Sequence, residues 1–296
     1  MHRRFPTFSR ALTLTAVPAL GLFMAVGSIA TASASTTTHH AAHTLTSAQR
    51  AAAARAALRK LLDSQHPTNH AVGHGIHSNA VTKVSSTNWA GYADTGTGFT
   101  KVSGAWVEPT TTCPKTGEAI AAYWIGIDGY NDKTVEQDGT LAFCDKGALA
   151  DYSWWEMYPS NDIQVVGANV KAGDKITASV VRTGTKYALK VTDATTSGNN
   201  VSENETCAAA TCKDTSAEWI AERPSGSSGL AILPDFKVIK FTKSAQTSSK
   251  GSGSISAGTA DEITMIRSSG SKVALATPSA LTDSGADFSV TWKLSK

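Results

Sequence analysis

Carboxylates are the side chains of this sequence that are best suited to acid–base chemistry. All eight histidines lie at or before His77, so the chain from Ser85 to Lys296 contains none. The absence of histidine excludes a Ser-His-Asp triad and a Cys-His dyad there, and it argues against catalytic zinc. That part of the sequence also carries no glycine-rich phosphate loop and no dinucleotide fingerprint. We therefore expect an Asp or Glu as general acid and base, with no metal and no cofactor.

Two segments show which carboxylates could face a substrate, because successive side chains of a β-strand point to opposite faces. In "SAEWIAERP", Trp219 and the alanines beside it suit a core, which turns Glu218 outward. In "DYSWWEMYP", Tyr152, Trp154 and Glu156 share one face. A face that combines aromatic rings with a carboxylate is typical of a substrate groove.

The elements that must position these residues are short strands. From Ser85 onward, β-rich runs alternate with Gly, Ser, Thr, Asn and Asp, and long helical periodicity is absent. This pattern predicts an all-β antiparallel sandwich. We expect loops at residues 195–215 and in "SAQTSSKGSGSISAGTAD". The predicted strands are "FTKVSGAWVEP", "IAAYWIGID", "ADYSWWEMYP", "DKITASVVR", "KYALKVTD", "SAEWIAERP", "DFKVIKFT", "DEITMIRS" and "DFSVTWKL".

The chain divides into three parts by composition. Residues 1–34 combine early arginines, an apolar run and an Ala-Ser-Ala site, which predicts a signal peptide and a secreted, extracellular protein. Residues 35–84 are histidine-rich and basic, with a predicted helix at 48–63 that Ser47 would cap. We interpret them as a removable pro-segment; a disordered spacer is the alternative. Residues 85–296, called the body below, form the predicted β-sandwich domain.

The charge of the body argues against nucleic acid as a partner. The body holds 19 Lys and Arg against 23 Asp and Glu, a net charge of −4, although the whole chain has +3. It also has no amphipathic basic helix that would bind a membrane surface. We expect a monomer that binds neither nucleic acid nor membrane.

The four cysteines all lie in the body, and an even number in an exported protein favours two disulfides. Sequence alone allows three pairings. We expect Cys207–Cys212, which would close a small loop, together with Cys113–Cys144.

Six separated motifs resemble those of the glutamic peptidases, which are also called eqolisins or the G1 family. The resemblance spans most of residues 85–241 and implies a concanavalin-like sandwich of two antiparallel sheets, with a Gln/Glu catalytic pair on its concave face. It also implies a secreted acid endopeptidase made as a zymogen, which cleaves polypeptides and is inhibited by its own pro-segment. The motifs are "STNWAGY", "VSGAWVEP", "YWIGIDG", "TVEQDG", "YSWWEMYP" and "AEWIAERP".

By this resemblance the catalytic pair is Gln137 and Glu218. As a carboxylate, Glu218 would deprotonate a water that attacks the peptide carbonyl, and would then return the proton to the leaving amine. Gln137 would donate its amide hydrogens to the developing oxyanion. In an extended strand, the neighbouring Glu136 and Asp138 would point away from Gln137. The substrate-binding residues would be Trp89, Asp128, Tyr152, Trp154 and Glu156.

The sequence departs from the fungal pattern in two places. Asp138-Gly139-Thr140-Leu141 stands where the fungal members have Thr-Gly-Val-Asp, and Tyr152 stands where they have an Asp, with Asp151 one place earlier. We expect these changes to alter the hydrogen-bond partners of the pair and its working pH. The chain beyond Thr242 extends past the fungal pattern.

Two other functions fit a β-sandwich. A glycoside hydrolase or carbohydrate-binding module would use Glu156 and Glu218, with Trp154 and Tyr152 stacking on sugar rings; two carboxyl groups about 5–10 Å apart would favour it. A noncatalytic adhesion domain would leave Gln137 and Glu218 as ordinary surface residues.

Overall fold

The structure is a computed structural model that describes Leu58, residues 76–77, 81–167, 169–207, 212–226 and 229–296. The predicted signal peptide and nearly all of the predicted pro-segment helix lie outside these residues, but Leu58 itself is helical. None of the described residues belongs to a helix that is long and apolar enough to cross a membrane.

The described chain is almost entirely β-structure. Three short 3₁₀ turns interrupt it at Ser197–Asn199, Ile255–Ala257 and Asp283–Gly285. The strands are β1 (Ile76–His77), β2 (Val81–Ser86), β3 (Trp89–Thr95), β4 (Lys101–Val107), β5 (Glu118–Ile127), β6 (Val135–Asp145), β7 (Ala148–Tyr158), β8 (Asn161–Val165), β9 (Lys175–Thr183), β10 (Lys186–Asp193), β11 (Val201–Thr206), β12 (Ser216–Glu222), β13 (Ser225–Gly226), β14 (Gly229–Leu230), β15 (Val238–Ser248), β16 (Gly251–Ser254), β17 (Thr259–Ile266), β18 (Ala274–Pro278) and β19 (Phe288–Trp292).

The strands form two layers, which confirms the predicted sandwich. The front sheet has the order β1-β2-β17-β3-β12-β5-β6-β7-β8, and the back sheet has the order β18-β19-β15-β4-β9-β10-β11, with β16 beside β15. The pairs are antiparallel except for β2 with β17. Because β18 pairs with both β17 and β19, the two sheets are joined along one edge.

Alternation along the strands sorts the side chains of the front sheet between two hydrophobic clusters. Ala217, Trp219 and Ala221 of β12 point between the sheets and pack against the back sheet. The Trp219 indole also donates a hydrogen bond to the Ser103 carbonyl at 2.9 Å. The outer face of the front sheet, called the groove face below, carries a second cluster. The sequence-based orientation of Glu218, away from the core, is therefore confirmed.

The structure corrects the two loop predictions. The polar stretch 195–215 contains β11, which pairs along its whole length with β10. The serine- and glycine-rich stretch after Phe241 is the end of β15 paired with β16. Both strands are exposed on at least one side, so their sequences lack the apolar alternation that identifies a half-buried strand. The predicted boundary between residues 84 and 85 lies within β2.

Both predicted disulfides are confirmed. Cys113–Cys144 ties the segment after β4 to the end of β6, and Cys207–Cys212 closes the small loop before β12. The two bridges therefore restrain the ends of the two strands that carry Gln137 and Glu218.

Candidate active site

Glu218, Gln137 and Glu156 lie in a single row across the centre of the front sheet. Glu218 on β12 pairs with Gly126 on β5, Gly126 pairs with Gln137 on β6, and Gln137 pairs with Glu156 on β7. Directly paired residues point to the same face of a sheet. All three side chains are therefore on the groove face, although they come from three separate segments of the chain.

Gly126 lets its neighbours pack closely against the backbone in the middle of this row. A Cβ at residue 126 would lie 3.0 Å from the Gln137 Cβ and 3.1 Å from the Trp124 ring. The backbones of Glu218 and Gln137 are separated by two inter-strand steps, roughly 10 Å. The missing side chain thus allows the Gln137 Cβ and the Trp124 ring to pack against the strand between Glu218 and Gln137.

The Gln137 amide is oriented by Glu156. Its Nε2 donates a hydrogen bond to Glu156 Oε2 at 2.6 Å, while its Oε1 has no hydrogen-bond partner among the described residues. Burial raises the pKa of Glu156 to about 8, against the smaller lowering effect of the Gln137 hydrogen bond. Glu156 is therefore neutral at acidic pH and adds no negative charge beside Glu218.

Glu218 is a fully buried carboxyl group. Neither of its oxygens has a hydrogen-bond partner in the part of the chain that the structure describes. Burial raises the pKa of Glu218 well above its usual range; Ser216 on the same strand has a smaller lowering effect, although its hydroxyl does not reach hydrogen-bond geometry, and the nearby charges of Asp128 and Asp132 act to raise the pKa. Asp94, Glu136 and Asp138 are also fully buried without a geometric hydrogen-bond partner within the described ranges, so the distinguishing feature of Glu218 is its position on the groove face.

Asp128 holds the segment that leads into β12. Its Oδ2 accepts hydrogen bonds from the backbone N–H of Lys213 and of Asp214, each at 2.7 Å, and its Oδ1 accepts one from Thr215 at 2.7 Å. Asp128 is fully buried. These contacts direct Asp128 to the 213–215 segment, in place of the substrate contact that the motif suggested, and fix the start of the strand that carries Glu218.

Aromatic rings form the rest of the groove face. Trp89 packs edge-on against Trp124 at 4.9 Å between ring centroids and stacks on Tyr130 at 6.4 Å. Tyr152 and Trp154 of β7 belong to the same cluster. We call these five rings the aromatic wall.

Gly139 is needed for this wall to pack. Gly139 pairs with Trp124 on one side and Trp154 on the other. A Cβ at residue 139 would lie 2.1 Å from the Tyr123 carbonyl oxygen and 2.8 Å from Trp124, so any other residue would clash with backbone. Gly139 belongs to the tetrapeptide 138–141 that differs from the fungal pattern, and it therefore has a clear packing role.

Two other residues of the tetrapeptide face away from the groove, whereas Leu141 belongs to the groove-face cluster. Asp138 and Thr140 point between the sheets, and both are fully buried. Burial raises the pKa of Asp138 well above its usual range. Thr140 Oγ1 donates to Glu108 at 2.6 Å. Gln137 therefore has no charged neighbour from its own strand on the groove face, as the alternation predicted.

Leu58 covers the aromatic wall. This residue comes from the predicted pro-segment helix, is fully buried, and belongs to the same hydrophobic cluster as the five rings. The wall and the row of polar side chains are also buried. A side chain from outside the body therefore occupies the face on which a substrate would lie.

A group of three potential metal ligands lies close to the site. Glu136 and the sulfurs of Cys207 and Cys212 are within 4.8 Å of one another. Both sulfurs are bound in the disulfide, and metal binding requires free thiolates. This group does not make a metal site while the disulfide is intact.

Comparisons with known proteins cover the region that carries the site. The model of the Peptidase A4 family matches residues 87–292, which is well over half of the chain. The chain belongs to the Peptidase A4 family. Aspergillopepsin-2 of Aspergillus niger is similar to it, with 27% identity over 189 residues. The matched region covers 55% of this chain, and the chain spans 65% of the length of that relative.

Solved structures agree with the Peptidase A4 membership in their fold. Scytalido-glutamic peptidase, solved with a transition state analog inhibitor, superposes with a TM-score of 0.58 and 24% identity over 70% of this chain and 98% of its own. SCP-B, a member of the Eqolisin family solved with the tripeptide Ala-Ile-His, gives a TM-score of 0.54 and 23% identity over the same shares. The resemblance to the eqolisins and their β-sandwich is thereby confirmed.

In this Peptidase A4 member, most of the predicted site residues come together. Gln137, Glu218, Glu156, Tyr152, Trp154 and Trp89 share the groove face, whereas Asp128 lies behind the 213–215 segment. Sequence analysis missed three groove residues: Trp124, Tyr130 and Glu222. The first two were within reach, because Trp124 shares a strand face with Gly126, and Tyr130 follows the "IGIDG" motif directly.

Glu222 is the third carboxyl group of the groove face. It accepts hydrogen bonds from the Trp124 indole at 2.9 Å and from Asn88 at 3.2 Å, and burial raises its pKa to about 7. Tyr130 donates to Asp261 of β17 at 2.5 Å, which connects the aromatic wall to the C-terminal part of the chain. These contacts fix two of the five rings.

Proposed function

We propose that this Peptidase A4 member is an acid endopeptidase that hydrolyses polypeptides with Glu218 and Gln137 as its catalytic pair. One observation carries the proposal: the unpartnered Glu218 carboxyl group and the unpartnered Gln137 Oε1 flank Gly126 on one face of the sheet. Two polar groups that lack hydrogen-bond partners and lie in one row on one face of the sheet are suited to binding a water and a peptide carbonyl.

In the proposed reaction, ionised Glu218 takes a proton from the water while the water oxygen bonds to the peptide carbonyl carbon. The carbonyl π electrons move to oxygen, and the second Nε2 hydrogen of Gln137 stabilises this oxyanion. Collapse of the intermediate breaks the C–N bond, and Glu218 returns its proton to the leaving amine. Gln137 Oε1 accepts a hydrogen bond from the water and so helps to orient it.

Glu156 supports this mechanism as a positioning residue. One Gln137 N–H is held by Glu156, which leaves the other N–H free and fixes its direction. Because Glu156 is neutral below about pH 8, it orients the amide without repelling the Glu218 carboxylate.

The carbohydrate alternative is less well supported by the same row. Glu156 and Glu218 are separated by three inter-strand steps, roughly 15 Å between backbones, and Gln137 lies between them. Glu156 also uses an oxygen to bind Gln137. A pair of carboxyl groups acting directly on one glycosidic bond would need closer approach without an intervening amide.

The precursor is proposed to be inactive because Leu58 of the pro-segment packs into the hydrophobic cluster of the groove face. The burial of Leu58 against the aromatic wall supports inhibition by the pro-segment. Covering the groove also keeps water from Glu218, whose pKa is raised by burial, so that the base stays protonated. Removal of the pro-segment would then both open the groove and allow Glu218 to ionise. The predicted signal peptide and the two disulfides support secretion.

Substitution of the catalytic pair tests this proposal. Glu218→Ala and Gln137→Ala in the mature protein should each lower the kcat for acid hydrolysis of a denatured protein by about 10²-fold or more. Glu118→Ala and Gln164→Ala, which change the same residue types outside the row, serve as controls. Undiminished activity in either catalytic variant, confirmed to be folded, would refute the assignment.

A further inference from the structure

The outer face of the back sheet holds a trough on the opposite side of the sandwich from the groove face. Two adjoining cavities, of about 530 and 390 Å³, share Ala105, Thr177, Thr192 and Lys243. The floor consists of small and hydroxyl-bearing residues in register across four strands. One row runs Thr242, Ala105, Thr177 and Thr192, and the next contains Ser103, Ser179 and Lys190.

Five lysines surround this floor. Lys101 and Lys190 line one cavity, Lys175 and Lys240 line the other, and Lys243 lines both. All five are exposed. Lys240 pairs with Asp287 at 3.0 Å, but the other four have no ion pair among the described residues. The trough therefore gathers positive charge in a body whose net charge is −4.

Negative charge is absent from the lining of both cavities at acidic pH. The one acid that lines them is Glu108, which is buried. Burial, together with the nearby charge of Asp151, raises the pKa of Glu108 to about 8. The lysines are therefore not neutralised from within the trough under the acidic conditions of the proposed reaction.

The lysines are also not explained as protection of a sheet edge. Exposed edge strands often carry lysine to prevent aggregation, but β4 and β9 are paired on both sides. Lys101, Lys175 and Lys240 each lie two residues along their strand from a hydroxyl-bearing floor residue, and from Lys101 to Lys175 the trough extends about 20 Å. Its shape and charge suit an extended, linear anion.

We infer that this trough binds a linear anionic polysaccharide. Lysines would pair with its acidic groups, while the serine and threonine hydroxyls of the floor would hydrogen-bond to sugar hydroxyls. No aromatic ring is exposed in the floor for stacking nucleic-acid bases, and no arginine lines it. A protein partner would more often be anchored by Trp, Tyr or Arg. Because the trough and the groove lie on opposite faces, the polysaccharide and a peptide substrate can be bound together.

Binding of sulfated dextran to the full chain tests this inference, with neutral dextran as the matched uncharged polymer. The wild-type protein should bind sulfated dextran with an affinity that falls as salt rises, and should not bind neutral dextran. Lys101→Gln/Lys190→Gln should lower the affinity at low salt at least about fivefold, because two released counterions are lost. The control Lys115→Gln/Lys272→Gln removes the same charge from exposed positions elsewhere and should leave the affinity unchanged.

Several results would overturn the inference. One is that the wild type does not bind sulfated dextran, or binds neutral dextran with equal affinity. Another is an equal loss of affinity in the trough and control variants. A third is that single-stranded DNA displaces bound sulfated dextran as effectively as free sulfated dextran does at equal charge concentration. Lys175→Gln/Lys240→Gln provides a second trough variant. An unchanged Tm would verify that each variant is folded, and because this check does not use hydrolysis it separates failure here from failure of the proposed peptidase function.

Discussion

Replacing Gly126 by alanine tests whether the absence of a side chain between Glu218 and Gln137 matters for function. The added Cβ would lie 3.0 Å from the Gln137 Cβ, where carbon atoms normally stay about 4 Å apart. The Gln137 Cβ is fixed to the backbone, so the contact moves β6 itself by several tenths of an ångström up to about 1 Å. A misplacement of about 1 Å in a catalytic group typically costs about 10²-fold in rate. We therefore expect kcat to fall by roughly 10–10²-fold.

Steady-state kinetics on a quenched peptide at acidic pH, together with thermal melting, would measure this effect. Overpacking costs about 1–3 kcal/mol, which corresponds to a Tm lower by roughly 2–12 °C for a domain of this size. At a temperature well below Tm the variant is still folded, so the loss of kcat can be separated from instability. Gly198→Ala is the matched control, because a Cβ there meets no atom within 4 Å. If Gly126→Ala keeps kcat within about threefold of wild type, the claim that Glu218 and Gln137 need a residue without a side chain between them fails.

Three further predictions concern the pro-segment, the pH dependence and the amide. Leu58→Asp should weaken inhibition by the pro-segment at least about tenfold, since burying a leucine contributes about 1.5–3 kcal/mol; an unchanged inhibition constant would contradict this. The pKa of Glu108 is raised on folding to about 8, so its contribution to stability is fully present below about pH 4, falls as pH rises above that, and is lost above about pH 8. Tm should therefore drop from pH 4 to 8 and drop less in Glu108→Gln, whereas parallel curves for the two proteins would show that Glu108 is not responsible. Glu156→Leu should lower kcat about tenfold with KM little changed, as expected when one oriented hydrogen bond of about 1–1.5 kcal/mol is lost. Glu156→Gln should recover most of that loss, and equal defects in both variants would contradict a positioning role.

The sequence predicted the parts of the fold that follow from local pattern. Alternation in "SAEWIAERP" and "DYSWWEMYP" placed Glu218 and Glu156 on the correct faces, because both strands have one face toward the inter-sheet core. β11 and β16 were missed because they lie in polar, exposed stretches whose pairing with β10 and β15 is decided by the tertiary structure.

The members of the candidate site could be named from the sequence, but their spacing could not. Family motifs identified Gln137 and Glu218, yet no local pattern gives the register that puts Gly126 between them. Asp128 looked like a substrate ligand, because sequence alone does not reveal that residues 213–215 cover its oxygens.

The role of the C-terminal part also depended on long-range pairing. β17 lies between β2 and β3 in the front sheet, and its Asp261 reaches Tyr130 of the aromatic wall. The chain beyond residue 242 therefore extends the sheet that carries the site. Pairing between strands more than 160 residues apart leaves no signal in a single sequence.

A double-substitution cycle of Glu218→Ala and Gln137→Ala tests the central claim most directly. The claim is that both residues act on one water and one carbonyl across Gly126, so their effects on kcat/KM should be strongly non-additive. The double variant should be at most a few-fold slower than Glu218→Ala alone, at acidic pH and with the pro-segment removed. Losses that multiply, or a single variant with wild-type activity, would show that the two side chains do not work as one catalytic unit.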